Sequence, residues 1–391
     1  MILKGKVDIL ALQSLIQMKK YPMAKPYMGR EEERAVIEVL RSGTLSLGPK
    51  LAGFEKEFAK FIGTRYACAV DNGTAALHLI LLSLGIQKED EVITSPFSFI
   101  SSANAVLYHG AKPVFADVDP VTFNIDPKEV EKKITKKTKA ILPVHIFGQS
   151  ADMDPIMKLA KKHKLFVVED ACESLAACYK GRHVGTEGHA AAFSFYPNKQ
   201  MTTGEGGVVV TNDKKIYELC RSLRNQGRAE NMQWLDHERL GFNYRMHELS
   251  AAIGLAQLAK LPRMVKERRQ IAGWYDQFLA PLEKKNLLFR PQVADHNTHS
   301  WFLYVARVSP EINRDKVIGD LAKIGVSSKP YLPSIHLFGF YSKKFGFKQG
   351  DFPVSEGISR SSLALPFYIG LKKSDVAHIC RNLEKVLENS L

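Results

Sequence analysis

Three places in this chain carry residue types able to do chemistry, and in each a strand-like run gives way to a donor-rich turn. Lys199 follows Phe193-Ser194-Phe195-Tyr196-Pro197-Asn198 and precedes the flexible run Thr202-Thr203-Gly204-Glu205-Gly206-Gly207. A lysine becomes a good amine nucleophile toward an aldehyde when burial or nearby cations lower its pKa from about 10.4. The floor of a cleft between a strand and a Gly/Thr turn offers such a place, so Lys199 is a candidate Schiff-base lysine. Lys and Arg together number 55 and most of them are simply solvated, so the neighbouring motifs must carry part of the argument.

Asp170 ends the apolar run Leu165-Phe166-Val167-Val168-Glu169-Asp170. Such a run reads as a strand buried on both faces, and its carboxyl end is where α/β sheets bind ligands. An acidic group there can keep the pyridine nitrogen of pyridoxal phosphate protonated, which makes the ring a far better electron sink. The same carboxylate also fits an ordinary helix N-cap. The third place is Gly73-Thr74, between the strand-like Ala67-Cys68-Ala69-Val70 and the helical Ala75 to Leu82. Free N–H groups and the helix dipole there attract an anion such as a phosphate. The turn is neither a Walker pattern nor a dinucleotide fingerprint, and a plain cap would look similar.

The elements that must position these groups are legible as a pattern. Strand windows fall near 67–70, 91–96, 113–117, 139–144, 165–169, 191–195 and 206–211, with helical stretches between most of them. This alternation predicts a mostly parallel, doubly wound α/β sheet. Beyond it, Glu248 to Leu258 reads as a small-residue helix, and Pro262 marks entry to a second unit. Trp301 to Val305 and Arg314 to Ile324 predict a smaller C-terminal α+β domain. The expected division is an N-terminal extension (1–25), a large domain (26–262) and a small domain (263–391).

The wording of these segments closely resembles the DegT/DnrJ/StrS family of pyridoxal phosphate-dependent nucleotide-sugar aminotransferases. The resemblance runs from about Pro26 to the C-terminus. It includes Ser42 to Pro49 with Phe54-Glu55, Asn72 to Leu77, Phe115 to Asp119 with Phe123 to Asp126, and Pro143-Val144-His145. It continues through Glu169 to Glu173, Ser194-Phe195 with Lys199, Thr202 to Gly207, Gly241 to Met246 and Leu365-Pro366-Phe367. The resemblance implies an aspartate-aminotransferase-like (type I PLP) fold with pyridoxal 5'-phosphate as cofactor. By the same resemblance Lys199 matches the lysine that holds the cofactor aldehyde, and Asp170 the partner of the pyridine nitrogen. Ser194 and the Gly73-Thr74 backbone match phosphate ligands, and Phe99 the aromatic residue that stacks on the ring. Asn243 matches a residue reaching the phosphate of a neighbouring subunit, which implies a homodimer with shared sites. Glu173 stands where many relatives carry Gln near the ring hydroxyl. Candidate sugar contacts are Thr44, Ser46, Tyr331 and His336, with the segment Arg224 to Arg228. Gln226 in that segment leans toward perosamine-synthase-like enzymes.

Composition agrees with a cytoplasmic enzyme. At 391 residues and 45% hydrophobic, the chain can bury a large core. Residues 1 to 20 include an apolar stretch, Val7 to Met18, interrupted by Asp8, Gln13 and Gln17, which predicts an amphipathic or poorly ordered leader and not a cleavable signal. The five cysteines lack paired metal spacing, and no metal site is expected. A formal charge of +14 invites a nucleic-acid reading, but the basic residues are dispersed and carry no recognition motif. Neither nucleic acid nor membrane is an expected partner. The expected reaction moves an amino group from glutamate to a nucleotide-linked keto sugar, specifically a 4-keto-6-deoxyhexose, for surface polysaccharide or glycan synthesis. A regulator that keeps the fold without turnover, or another reaction of the same cofactor, stands as the alternative.

Overall fold

The computed structural model describes residues 19–229 and 236–390. All seven expected strands form: β1 (Tyr66–Val70), β2 (Glu91–Thr94), β3 (Lys112–Phe115), β4 (Thr138–Leu142) and β5 (Phe166–Asp170) come first. After a small hairpin, β6 (Cys178–Tyr179) and β7 (Arg182–His183), the chain returns as β8 (Ala190–Ser194) and β9 (Gly207–Thr211). The large sheet has the order β1-β9-β8-β5-β4-β2-β3, and β9 alone runs against its neighbours. Alternate residues of the strands enter two different cores. Cys68, Val70, Ala190, Ala192 and Val209 face one, while Ala67, Ala69, Ala191, Phe193, Val208 and Val210 face the other. Burial on both faces is why these strands are apolar throughout and do not alternate with polar residues.

The reversal at β9 places the lysine. Because β8 and β9 are antiparallel neighbours, they need no crossover helix, and the loop between them turns back at the sheet edge carrying Lys199. That loop is pinned on itself: the Thr202 hydroxyl and the Thr203 N–H both donate to the Phe195 carbonyl, at 2.9 and 3.0 Å. Since β1, β5 and β8 share one direction, their carboxyl ends put Val70, Asp170 and Ser194 at the same edge.

The helix Glu248–Lys284 runs unbroken through Pro262, so no change of element marks the expected boundary there. Its first half packs Ala251, Leu258, Leu261, Met264 and Val265 into the large core, and its second half packs Ile271, Tyr275, Leu279 and Leu282 into a separate one. The change of core thus falls just past Pro262, inside a continuous helix. The second core covers a three-stranded sheet built from β10 (Leu288–Phe289), β12 (Tyr304–Val308) and β13 (Ser362–Leu365). β11 (Asn297–Thr298) pairs with β6. Residues 21–25, expected in the extension, belong in part to this second unit. Tyr21 is buried in its core and bridges Val326, and the Met23 carbonyl accepts from Phe367 N at 2.9 Å. The expected leader over Val7 to Met18 lies outside the described residues. None of the described helices is long and apolar enough to cross a membrane.

Candidate active site

The carboxyl edge of the large sheet opens into a cavity of about 880 Å³, lined among others by Gly73, Thr74, Phe99, Asp170, Glu173, Ser194, Lys199 and Tyr331. One part of it is an anion cradle. Asn72 caps the helix Gly73–Ser83 by accepting from Ala75 N at 2.8 Å, which leaves the Gly73 and Thr74 N–H groups at its mouth. Backbones approach closely here. A Cβ on Gly207, the first residue of β9, would lie 2.5 Å from the Asn72 carbonyl, and one on Gly73 would lie 2.9 Å from both Ser194 Cβ and Cys172 Sγ. Two glycines therefore let the start of β9, the end of β8 and the helix terminus meet in a pocket of N–H and hydroxyl donors. This is the shape and polarity a phosphate requires.

Asp170 is 5% exposed and is held at both oxygens: Ser102 Oγ donates to Oδ2 at 2.7 Å and Cys172 N to Oδ1 at 3.2 Å. Ser102 also bonds Ser98, a cavity residue. Lys199 Nζ lies 3.7 Å from Glu173 Oε1 and 4.1 Å from the centroid of the fully buried Phe302 ring. Glu173 Oε2 accepts from Phe147 N at 3.2 Å, an N–H aimed by the positive φ of 55° at Phe147. Burial raises the Glu173 carboxyl above the ordinary range, and the Lys199 ammonium opposes that rise. Burial likewise pushes the Cys172 thiol up, so it is a packing group at neutral pH.

Phe99 is 62% exposed and lines the cavity, whereas the similarly spaced Phe97 is fully buried against Phe123 and Phe147. Tyr331 lines the cavity beside Asn198 and Glu173, its hydroxyl pKa raised by burial. The structure does not bring the remaining expected residues into this cavity. His336 is fully buried, its Nε2 3.1 Å from Glu356 Oε1 and its ring against Phe352, so it packs within the fold and is not offered to a sugar. Thr44 and Ser46 sit on an exposed loop, Ser46 bridging His247, and Asn243 is exposed and bridges Asn225. Gln226 adopts a positive φ of 63°, its N–H donating to the Phe242 carbonyl at 2.8 Å. Sequence reasoning missed Ser98, Ser102, Phe302, His78 and Lys329. Ser98 lies in the Ser-Phe-rich turn with Phe99 and Ser102 in the helix just after it, so both were within reach of the sequence, while Lys329 and Phe302 come from far along the chain and carry no local signal.

A lysine at a strand-edge loop, a buried carboxylate ending the adjacent strand and an anion cradle between them define a pyridoxal phosphate-dependent aminotransferase fold and cavity. The chain matches the DegT/DnrJ/EryC1/StrS aminotransferase family over residues 26–384 and belongs to it. It is 40% identical to the GDP-perosamine synthase of Caulobacter vibrioides over 95% of this chain and 99% of that protein. It is also 40% identical to the spore coat polysaccharide biosynthesis protein SpsC of Bacillus subtilis, over 94% and 97% of the two chains. Among solved structures, DesV of S. venezuelae superposes with a TM-score of 0.88 at 35% identity, covering 94% of this chain and 99% of that one. The protein is thus a sugar aminotransferase-family enzyme whose cofactor is pyridoxal phosphate.

Proposed function

We propose that this enzyme transfers the amino group of glutamate to the ketone of a nucleotide-linked sugar, a 4-keto-6-deoxyhexose, in the synthesis of a surface polysaccharide or related glycan. The observation that carries this reading is the single cavity holding Lys199, Asp170 and the Gly73-Thr74-Ser194 cradle together, with room beyond them for a second, larger substrate. Its volume stands near the upper end of the roughly 300–1,000 Å³ typical of ligand sites. The relatives named for perosamine and spore coat polysaccharide support the sugar assignment.

Pyridoxal phosphate, when bound, supplies the electron sink that lets an amino group pass from an amino acid to a ketone. In this reading Gly73, Thr74 and Ser194 hold its phosphate, Phe99 covers its ring, and Asp170, oriented by Ser102 and Cys172 N, keeps the ring nitrogen protonated. Lys199 would hold the cofactor through its aldehyde, and its free amine would be the base for the proton on the donor's α-carbon. Glu173, 3.7 Å from the Lys199 amine, would lie near the ring hydroxyl of a bound cofactor. Lys329 on the cavity wall offers a cation to the anionic groups both substrates carry. The exposure of Asn243, Thr44 and Ser46 outside their own cavity supports a homodimer in which each chain completes its partner's site.

The test is an absorbance spectrum of the protein with pyridoxal phosphate, before and after glutamate, for wild type and Lys199→Ala. A visible band that bleaches with glutamate only when Lys199 is present is the expected result, and nucleotide ketosugars then restore it. A band indifferent to every amino donor refutes the reading.

A further inference from the structure

Behind Lys199 lies a buried charged group, with Glu267 as the one nearby acid among the described residues. Arg268, on the second turn past Pro262 in the long helix, is 4% exposed. It has no salt bridge among the described residues. Its neighbour Glu267 is engaged elsewhere, accepting from Gly370 N at 2.9 Å. Instead the guanidinium donates to three main-chain carbonyls: Nη1 to Trp301 and Phe302, both at 3.2 Å, and Nη2 to Lys199 at 3.4 Å. Its Nε–H is buried with no acceptor among the described residues, and its Cζ lies 5.6 Å from the centroid of the Phe367 ring. Burial lowers its pKa to about 10, which still leaves it charged at neutral pH. Desolvating an unpaired cation costs several kcal/mol. A methionine or leucine would fill such a space without that cost, so the charge must be held for what it grips.

What it grips forms a closed ring around the lysine. One arm holds the Lys199 carbonyl and the other the main chain of Phe302, whose ring lies under Lys199 Nζ. Phe302 N in turn donates to the Phe147 carbonyl at 3.0 Å, and Phe147 N to Glu173, which faces Lys199 Nζ. Both Trp301 and Phe147 have positive φ, 55° at each, a conformation unfavourable for bulky residues that persists only where neighbours over-determine it. The main chain of the lysine and its ammonium are thus held by the same three segments, 147, 199 and 301–302, and Arg268 joins two of them directly.

We propose that Arg268 is a positioning residue for Lys199: by fastening the Lys199 and Phe302 main chains together, it keeps the Phe302 ring under the lysine nitrogen and so sets where that nitrogen meets the cofactor. A ring face so close to a cation favours its charged form. The inference rests on Lys199 being the cofactor-binding lysine.

The experiment compares pyridoxal phosphate-loaded wild type, Arg268→Lys and Phe302→Leu. Phe302→Leu keeps the main chain and an apolar side chain but removes the ring, so it remains informative if Arg268→Lys does not fold. The first readout is the pH midpoint of the visible band, which needs no substrate. It should fall by about half to one pH unit in Phe302→Leu and in Arg268→Lys, while cofactor affinity changes less than about threefold. The second is the rate of bleaching by an amino donor, which should drop tenfold or more, since displacements near 1 Å cost up to about a hundredfold. An unchanged midpoint and rate in Phe302→Leu, or in a folded Arg268→Lys, overturns the proposal. Survival of the band in Lys199→Ala would instead overturn the underlying reading of Lys199, so the two failures are distinguishable.

Discussion

Gly73→Ala tests the anion cradle at its narrowest point. The added Cβ would stand 2.9 Å from Cys172 Sγ, 2.9 Å from Ser194 Cβ and 3.3 Å from Ser194 Oγ. Carbon contacts prefer about 3.5–4.0 Å, so two atoms must move by over half an ångström. Neither moves freely: Ser194 is held in the β8–β9 ladder, and Cys172 is packed between Asp170 and the Ala192 carbonyl. Alanine at a helix start gains at most about 1 kcal/mol over glycine, whereas overpacking costs about 1–3 kcal/mol. The clash wins, and it acts at the proposed phosphate cradle, between the Ser194 hydroxyl and the Gly73 N–H. The dissociation constant for pyridoxal phosphate should rise about 10- to 100-fold, equivalent to about 1.4–2.8 kcal/mol, and the apo-protein should lose up to about 2 kcal/mol in urea, the net of clash and helix gain. Absorbance titration of the apo-protein measures it. Gly73→Ala combined with Cys172→Ala should recover part of the loss, because one of the two clashing atoms is gone. Binding within twofold of wild type in the single variant would refute the cradle.

Three further outcomes follow from the same geometry. The raised folded pKa of Glu173 means the native chain binds a proton there more readily than the unfolded chain, so its contribution to stability is lost as pH rises from about 4.5 through the raised value. Glu173→Gln removes that slope, and its stability in urea should gain on wild type across that window by about 1.4 kcal/mol for each pH unit the window spans; parallel pH curves would contradict this. Lys329→Gln should raise KM for the nucleotide sugar about 5- to 50-fold with kcat nearly unchanged, as expected for a contact made equally in ground and transition states, and an unchanged KM would remove Lys329 from the substrate's path. Glu248 accepts from Gly48, Lys50 and Leu51 N–H at 3.1, 2.8 and 2.9 Å, so Glu248→Ala should cost about 2–4 kcal/mol in urea denaturation, and a loss under about 1 kcal/mol would show that water replaces those bonds.

The amino-acid sequence alone determined the seven strands of the large sheet, because burial on both faces favours short apolar runs bounded by turn residues, and the longer buried run at Ala75 to Leu82 is set apart as a helix by its length and its Gly-Thr start. It also singled out Asp170, which ends a strand, Gly73 and Thr74, which open a helix, and Lys199 in the loop after a strand, since ligand sites gather at those edges, while the family resemblance added Ser194. Only the tertiary structure decided the rest. That β9 reverses, returning the lysine loop to the sheet edge, depends on pairing partners that local patterning does not name. The helix through Pro262 shows the same limit: packing on two cores outweighs the lost hydrogen bond and hides the boundary between units. His336 reads like a ligand in its Tyr-Leu-Pro-Ser-Ile-His run, yet Glu356, twenty residues on, draws it into the interior. Phe302 and Arg268 carry no motif at all. Their importance comes from standing beside Lys199 in space, more than sixty residues away along the chain, and non-local contact of that kind is what folding adds to a sequence.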